Sequence, residues 1–483
     1  MTTLRIALVA SELTPFAKTG GLGDVVASLA TYLHAAGHDV RPFLPLYGNL
    51  KPSGQKFVPV GFLQDVPLTM GQREFRFSVF TATVPGTHAP VYFIACPALY
   101  GRAETYSNQG DEHLRFGFLS RAAIECCQRM GFAPHVFHCN DWHTALVPLL
   151  LRTVYGWDRL FRATKTVLTI HNLAYQGAFP SSVIPELRLP EPLLLQDDLR
   201  RGRVSFLATG IAHADAITAV SRTYAREIMT PDLGMGLDAL LRSRADRVVG
   251  IVNGIDDDIW APEADPHIAA RFSARDLSGK DACRAALLAE TGLRGDARGP
   301  VYGVVSRLTA QKGLDLVPEA IAPTLARGDA RLVALGSGSD TLAGMFRDLV
   351  RAFPGRAFFR EGYDDPFAHR IEAGADAFVM PSVFEPCGLN QMYSLKYGTV
   401  PIVRKTGGLA DTVTCYDPDT GRGTGVVFND ATVGAVRWAI EIAAKLYADR
   451  AVWRSIQLQG MAEDNSWTRR IQEYVGLYQR LCS

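Results

Sequence analysis

Two copies of one glycine-rich motif have the residue types of an anion site. Residues 18–26 read KTGGLGDVV and residues 405–413 read KTGGLADTV. Glycine lets a ligand approach the backbone closely, and the first N–H groups of a following helix have no partner within that helix. The lysine adds a positive charge. The pattern favours a phosphate or diphosphate, although Asp24 and Asp411 could simply cap the helices that follow.

A pair of cations, Arg307 and Lys312, follows the first predicted strand of the second half, in SRLTAQKG. A forked guanidinium and an ammonium that converge at a strand end suit a diphosphate. Two solvated surface cations are the alternative interpretation. The position at a strand end favours binding, because open α/β sheets bind ligands there.

A single carboxylate, Glu385, lies in the stretch FEPCGLNQ at 384–391. Pro386 cannot lie inside a helix, so Glu385 is predicted on the preceding loop, with Gly388 near the helix start. A carboxylate there could accept hydrogen bonds from sugar hydroxyls or stabilise a developing positive charge. The alternative is a charge at a helix terminus, with Cys387 as packing.

Further polar groups follow two predicted strands of the first half. Asp141 and His143 come after the strand at 136–139, and His171 and Asn172 come after the strand at 166–170. The Lys18 motif also follows a strand. Because the carboxyl ends of parallel strands share one edge of a sheet, these groups are predicted to form one site.

Metal ligation receives little support from the sequence. His138 and His143 flank Asp141 without the spacing of a zinc site. The D-x-D triplets at 256–258 and 417–419 are predicted as turns. We therefore expect neither a metal nor a cofactor, with Arg307 and Lys312 supplying the charge that a leaving diphosphate needs.

Length and composition limit the classes of protein that remain. A chain of 483 residues is expected to form two domains of roughly 200–250 residues each. The formal net charge of +1 gives no support for binding to nucleic acid or to an anionic membrane. The first apolar run is too short for a signal peptide, and the eight cysteines form no C-x-x-C pair. We predict a cytoplasmic protein.

The elements that must position these residues alternate along the chain. The strands of the first half are predicted at 4–10, 40–46, 91–95, 136–139, 166–170 and 216–220, and those of the second half at 301–305, 331–335, 357–359, 377–380, 401–403 and 425–428. Strands separated by helices indicate parallel sheets. The fold class is therefore α/β, with two Rossmann-like doubly wound domains facing a cleft. The predicted bounds are 1–249, 250–460 and a final helix at 461–483 that returns to the first domain.

The ordered motifs resemble those of the bacterial glycogen synthases and plant starch synthases, the retaining glucosyltransferases that use ADP-glucose. The resemblance covers essentially the whole chain and rests on residues 18–25, 140–143, 169–177, 250–256, 306–313, 385–389 and 405–413. It implies GT-B architecture, no metal, and transfer of glucose to the 4-hydroxyl at the end of an α-1,4-glucan. The implied partners are ADP-glucose and glycogen, and the oligomeric state stays open.

The resemblance also implies roles for individual residues. Lys18 and the Gly20–Gly21 backbone would face the donor, Arg307 and Lys312 would neutralise the leaving diphosphate, Tyr363 would lie against the adenine, His171 and Asn253 would contact the glucosyl unit, and Glu385 would support the oxocarbenium-like transition state. The expected catalytic residues are Glu385, His171, Arg307 and Lys312. The expected substrate-binding residues are Lys18, Gly20, Gly21, Asp24, Asp141, Asn253, Tyr363, Cys387, Gly388, Leu389, Asn390 and Gly408.

The chain departs from the family pattern at two positions beside Glu385. Val383 stands where the family commonly has arginine, and Asn390 stands where it commonly has threonine. Three other functions stay open: a transferase of the same fold using UDP-glucose or a small acceptor, a nicotinamide-dependent oxidoreductase, and a glucan-binding protein without activity. The oxidoreductase would need G-x-G-x-x-G directly after the first strand, and this chain lacks that spacing.

Overall fold

The structure, a computed structural model, describes residues 3–50, 54–107, 109–295 and 299–483. The chain divides into two compact units. The first unit comprises Met1–Val220, Ala225–Ile251 and Trp467–Ser483, and the second comprises Ser221–Tyr224 and Val252–Ser466. The predicted division, at 249/250 and 460/461, lies close to these bounds but assigns Ser221–Tyr224 to the first domain.

The described residues up to 251 form twelve strands and nine helices, all of which belong to the first unit except the start of α8. The strands are β1 (Arg5–Val9), β2 (Asp39–Pro45), β3 (Val58–Pro59), β4 (Val66–Met70), β5 (Arg73–Thr83), β6 (Pro90–Ala95), β7 (Val136–Asn140), β8 (Lys165–Ile170), β9 (Ala178–Pro180), β10 (Arg203–Ser205), β11 (Ala216–Ala219) and β12 (Val248–Gly250). The helices are α1 (Gly21–Ala35), α2 (Pro97–Tyr100), α3 (Glu112–Arg129), α4 (Val147–Arg152), α5 (Ile184–Leu187), α6 (Gln196–Arg200), α7 (Phe206–His213), α8 (Arg222–Glu227) and α9 (Asp238–Ser243).

The main sheet of this unit has the strand order β12-β11-β8-β7-β1-β2-β6-β5-β3. The strands from β12 to β6 pair in parallel, and the order reverses at β1, between β7 and β2. That reversal is the switch point of a doubly wound sheet, where polar groups after the strands can converge.

An antiparallel extension of this sheet was not predicted. Strand β5 pairs antiparallel with β6, β4 and β3, and it covers eleven residues. The sequence at 73–83, REFRFSVFTAT, alternates polar and apolar residues. That alternation is the period-2 signal of a strand with one exposed face, and it was available in the sequence.

The second unit is a parallel sheet with helices between its strands. Its strands are β13 (Val301–Leu308), β14 (Arg331–Gly338), β15 (Ala357–Glu361), β16 (Ala377–Met380), β17 (Val400–Arg404) and β18 (Val426–Phe428), and its helices are α10 (Ser278–Thr291), α11 (Leu316–Arg327), α12 (Asp340–Ala352), α13 (Asp365–Gly374), α14 (Asn390–Lys396), α15 (Gly407–Thr412), α16 (Val433–Ala448) and α17 (Arg450–Met461). The order β15-β14-β13-β16-β17-β18 is the Rossmann order, with its switch point between β13 and β16.

Alternate residues of the central strands in this unit enter two separate cores. Leu332 and Ala334 of β14 pack in one apolar cluster, whereas Val333 and Leu335 pack in the other. A strand covered by helices on both faces must be apolar throughout. The continuous apolar runs of the sequence therefore predicted these parallel strands correctly.

The last helix, α18 (Trp467–Cys482), belongs to the first unit. The hydroxyl of Tyr478 lies 2.7 Å from Nδ1 of the buried His138 on β7. Tyr474 and Val475 of the same helix are also buried. None of the helices in the described residues combines the length and the hydropathy that crossing a bilayer requires.

Candidate active site

Helix α1 begins within the first glycine-rich motif, and the first two glycines of this motif are not packed against other parts of the protein. Gly20 is the N-cap, and a Cβ atom added at Gly20 or Gly21 would meet no protein atom within 4 Å. At Gly23 a Cβ would instead lie 3.0 Å from Oγ1 of Thr14. The first two glycines therefore leave open space beside the backbone, and the third allows the loop to pack.

The charges of this loop are partly neutralised within the protein. Nζ of Lys18 lies 2.9 Å from Oδ1 of Asp24, and Oγ1 of Thr14 donates to the same oxygen at 2.8 Å. Asp24 therefore orients the lysine and does not cap helix α1. The lysine remains about 39% exposed, so it keeps access to a ligand.

A carboxylate that the sequence analysis missed lies beneath the loop. Oε2 of Glu12 accepts hydrogen bonds from the N–H groups of Thr19 at 2.6 Å and Gly20 at 3.1 Å. Oε1 accepts from the hydroxyl of Tyr106 at 2.5 Å. Glu12 is 3% exposed. An acidic residue directly after the first strand was the available signal.

His171 is held as a neutral ring at the end of β8. Nδ2 of Asn140 donates to the carbonyl of Val9 at 3.1 Å, so Oδ1 of Asn140 is the acceptor for Nε2 of His171 at 2.9 Å. Loss of hydration lowers the pKa of His171 to about 3. The neutral imidazole therefore donates from Nε2 and leaves Nδ1 as an acceptor.

Asp141 is a buried carboxyl group at the end of β7. Its Oδ1 accepts from the N–H of His171 at 2.7 Å, and its backbone has a φ of 55°. A positive φ is uncommon outside glycine, although aspartate tolerates it better than most residues. Burial raises the pKa of Asp141 to about 7, against the opposing effect of the N–H groups of His171 and Asn172.

Lys312 and Glu385 form an ion pair in the second unit. Nζ of Lys312 lies 2.6 Å from Oε2 of Glu385, and the hydroxyl of Ser382 donates to the same oxygen at 3.0 Å. Arg307 is exposed near the end of β13. This strand runs to Leu308, three residues beyond its predicted end, so Arg307 projects from the strand itself and not from a turn.

The second glycine-rich motif packs against the Glu385 loop. The N–H of Gly408 donates to the carbonyl of Glu385 at 3.0 Å, and a Cβ at Gly408 would lie 1.9 Å from the carbonyl oxygen of Cys387. Gly407, with φ of 43°, would place a Cβ 1.8 Å from the Glu385 oxygen. This corrects the role expected for Gly408, because its N–H is already bonded within the protein and cannot be offered to a phosphate.

Asp411 of the same motif bonds to another segment of this unit. Its carboxylate accepts from the N–H of Thr223 at 2.8 Å and from the Thr223 hydroxyl at 2.6 Å. Nearby, the Ser221 hydroxyl donates to the carbonyl of Pro386 at 2.6 Å and accepts from the N–H of Tyr224 at 3.1 Å.

The segment after Glu385 is fixed by side-chain amides. Nε2 of Gln391 donates to the carbonyls of Cys387 and Gly388, at 3.1 and 3.0 Å, and Gly388 has φ of 73°. Leu389 is the N-cap of α14. Nδ2 of Asn390 donates to the carbonyl of Val305 on β13 at 2.7 Å. Asn390 therefore ties α14 to the sheet, a structural role that the sequence did not predict.

Two further expected residues differ in exposure. Tyr363 follows β15 and is 78% exposed. Asn253 is buried, and its Oδ1 has no hydrogen-bond partner among the described residues. A buried amide oxygen without a partner is costly, and a ligand hydroxyl would relieve that cost.

The two D-x-D triplets form turns, as predicted. Oδ1 of Asp256 accepts from the N–H of Asp258 at 2.9 Å, and Oδ1 of Asp417 accepts from the N–H of Asp419 at 3.0 Å. Each first carboxylate is therefore used to close its own turn.

Comparisons with known families agree with this arrangement. The family model described as the starch synthase catalytic domain matches residues 5–243, and the one described as glycosyl transferases group 1 matches residues 299–443. The glycogen synthase of Anaeromyxobacter sp. (strain Fw109-5) is 46% identical, over 99% of this chain and 100% of its own. That of Koribacter versatilis (strain Ellin345) is 44% identical, over 99% of this chain and 98% of its own.

Solved structures give the same result. The catalytic domain of Starch Synthase IV from Arabidopsis thaliana, bound to ADP and acarbose, superposes with a TM-score of 0.92 at 34% identity and covers all of both chains. Sucrose-phosphate synthase from Thermosynechococcus elongatus, at a TM-score of 0.61 and 18% identity over 99% of both chains, shares the fold alone. The chain therefore belongs to the family of bacterial glycogen synthases and plant starch synthases, and it is a glycosyltransferase with the two Rossmann-like units of the GT-B fold.

Proposed function

We propose that this enzyme elongates an α-1,4-glucan by transferring glucose from ADP-glucose with retention of configuration, releasing ADP. The observation that carries the proposal is the largely buried Lys312–Glu385 pair at the switch point of the second sheet, with Arg307 near the end of β13. The ADP in the relative's solved structure supports an adenine nucleotide as donor.

The second unit supplies the groups for the donor. Arg307 and Lys312 neutralise the diphosphate, and a forked guanidinium can hold two phosphate oxygens at once. The exposed ring of Tyr363 stacks on the adenine, and Asn253 meets a hydroxyl of the glucosyl unit. The backbone of Cys387, Gly388 and Leu389 lies beside the glucosyl unit.

Glu385 stabilises the positive charge that develops on the sugar. Both hydrogen bonds of its carboxylate in the described residues are to Oε2, from Lys312 and Ser382. Oε1 is therefore the oxygen available to sugar hydroxyls. A fixed carboxylate in a site with little water acts strongly on a charge that appears only in the transition state.

The transfer step balances without a second protein carboxylate. The bond from C1 of glucose to the β-phosphate oxygen breaks, and its electron pair leaves with ADP. The 4-hydroxyl of the glucan attacks C1 from the same face, and its proton moves to the leaving phosphate oxygen. The cations beside the diphosphate stabilise that oxygen as the bond breaks.

The first unit contributes neutral and charged groups of its own. Nδ1 of His171 accepts a hydrogen bond from the glucosyl unit, and its low pKa keeps the ring neutral at physiological pH. The backbone at Gly21 contacts a donor phosphate together with Lys18, while Gly20, whose N–H is bonded to Glu12, leaves open space beside it. Asp24 orients Lys18, and Asp141 fixes the backbone at His171.

The proposal includes a reaction that needs no metal and a cytoplasmic location. Arg307 and Lys312 supply the charge on which the leaving diphosphate depends. A reducing compartment suits the eight free cysteines, six of which are buried.

The test is a donor competition with glycogen as acceptor. We expect incorporation of glucose from ADP-glucose, slower incorporation from UDP-glucose, and full activity in a metal chelator. Digestion of the product by an enzyme specific for α-1,4 bonds reports retention. ADP-glucose that binds without release of ADP would overturn the proposal, and a preference for UDP-glucose would overturn the choice of donor.

A further inference from the structure

The buried carboxylate of Glu12 already occupies two backbone N–H groups of the first glycine-rich loop. Its Oε2 accepts from Thr19 and Gly20, and its Oε1 accepts from Tyr106. A loop that binds an anion normally offers such groups to the ligand. Here a protein anion takes the first two, so the ligand must use others.

The N–H groups that follow belong to the first turn of α1. They are those of Gly21, Leu22 and Gly23, the first positions of the helix, whose N–H groups have no partner one turn earlier in the helix. Space is open beside Gly20 and Gly21. Glu12 therefore determines which part of the loop remains available.

Glu12 is not needed to hold the rest of this connection. Leu13 and Ala17 exchange backbone hydrogen bonds at 3.0 Å, and the N–H of Thr14 donates to the carbonyl of Gly23 at 3.1 Å. Within the loop, Glu12 bonds to the N–H groups of Thr19 and Gly20, and its other oxygen bonds to Tyr106. A purely structural role would not require a charge at that point.

The cost of this arrangement also indicates a function. Burial raises the pKa of Glu12, against the hydrogen bonds from Tyr106, Thr19 and Gly20 that lower it. A buried carboxylate beside an anion site loses hydration and repels the anion, so other interactions must offset that cost. Tyr106 is itself held in place, because its ring stacks on His143 at a centroid distance of 4.9 Å.

We propose that Glu12 is a positioning residue for the donor: by fixing the N–H groups of Thr19 and Gly20, it directs a diphosphate to the first turn of α1 and to Lys18. The inference rests on the proposed function of this loop in donor binding. Glu12 does not touch the donor, and it acts through the backbone.

The test compares Glu12→Gln, Glu12→Ala and Tyr106→Phe by steady-state kinetics. In Glu12→Gln the amide oxygen still accepts from the loop, while Nε2 donates to Tyr106, whose hydroxyl turns to Oγ of Ser11 at 2.9 Å. We expect a donor KM about 3- to 10-fold higher for Glu12→Gln and about 100-fold higher for Glu12→Ala, since neutral hydrogen bonds are roughly half as strong as charge-assisted ones. The KM for glycogen stays unchanged.

The matched controls are Glu125→Gln and Tyr155→Phe. Oε1 of Glu125 also accepts from a tyrosine hydroxyl, that of Tyr155 at 2.9 Å, in the same unit. Both controls keep the donor KM of the wild type. If Glu12→Ala does not fold, Glu12→Gln and Tyr106→Phe still decide, because both keep the shape of the site.

An unchanged donor KM in Glu12→Gln and Tyr106→Phe, or an equal rise in both KM values, would overturn the inference. Failure of the proposed function is a separate outcome. If the wild type prefers another nucleotide sugar, the donor assignment falls, and the same variants measured with that sugar still test Glu12.

Discussion

Nζ of Lys312 lies 2.6 Å from Oε2 of Glu385, in a pair whose side chains are only 18% and 5% exposed. Removal of either charge would leave the other in a largely buried position without its partner. The ammonium holds the carboxylate in position before substrate arrives, and it also adds positive charge where the diphosphate is expected. The first two predictions follow from this pair.

Glu385→Gln should lower kcat by roughly 100- to 1,000-fold, because it removes a preorganised charge from the transition state. The measurement is glucose incorporation into glycogen from ADP-glucose. Glu319→Gln, at an exposed position on α11, should retain full activity. Near-normal kcat in a folded Glu385→Gln would remove this carboxylate from the mechanism.

Lys312→Ala and Glu385→Ala should each destabilise the protein by about 3 kcal/mol, because each leaves an unpaired charge in a largely buried site. The double variant should lose less than the sum, with a coupling of about 1–3 kcal/mol. Urea unfolding of all four proteins measures this coupling. Strict additivity would show that the pair does not act as a unit.

The two glycine-rich motifs should respond differently to alanine. Gly408→Ala should destabilise the second unit by about 1–3 kcal/mol or more, because its Cβ would overlap the Cys387 carbonyl. Gly20→Ala should fold normally, because its φ of −151° is extended and nothing lies within 4 Å of the Cβ. Thermal unfolding distinguishes them, and the donor KM should rise in Gly20→Ala. Equal stability of the two variants would contradict the packing described for Gly408.

Asp141→Asn should become relatively more stable as the pH rises. The pKa of Asp141 is raised from 3.8 to about 7, so between these values the folded wild type binds a proton that the unfolded chain lacks. Wild-type stability therefore falls as the pH rises from about 4 to about 7 and is then level. The asparagine variant lacks this pH dependence, because its side chain does not bind a proton.

The difference between Asp141→Asn and wild type should grow by about 4 kcal/mol at most between pH 4 and pH 8. Urea midpoints measured across that range give it directly. His138 and His171 are present in both proteins, so their contributions to the pH dependence of stability cancel in the comparison. A difference that does not change with pH would mean that Asp141 is ionised throughout.

Tyr478→Phe should destabilise the first unit by about 1–3 kcal/mol, because it leaves Nδ1 of the buried His138 without its partner on α18. Tyr175→Phe, at a ring that is 55% exposed, is the control and should change little. Thermal unfolding measures both. Equal midpoints would show that the helix is held by apolar packing alone.

The sequence by itself determined the fold class and most of the strands. Continuous apolar runs such as 301–305 mark strands buried on both faces, and the motifs fall at their carboxyl ends because the chain must turn there. Glu385 on its loop and the turn roles of Asp256 and Asp417 also followed from local chemistry. These predictions succeed because proline and the backbone N–H groups that close a turn affect only residues a few positions away in the sequence.

Only the tertiary structure decided how those groups are used. Glu12 meets Tyr106 across 94 residues of sequence, and Lys312 meets Glu385 across 73. Strand order and register set such contacts, and neither is encoded by local spacing. The same reason separates the two glycine-rich motifs, which are alike in sequence. One leaves open space at Gly20, whereas the other packs Gly408 against a loop that the sheet brings beside it.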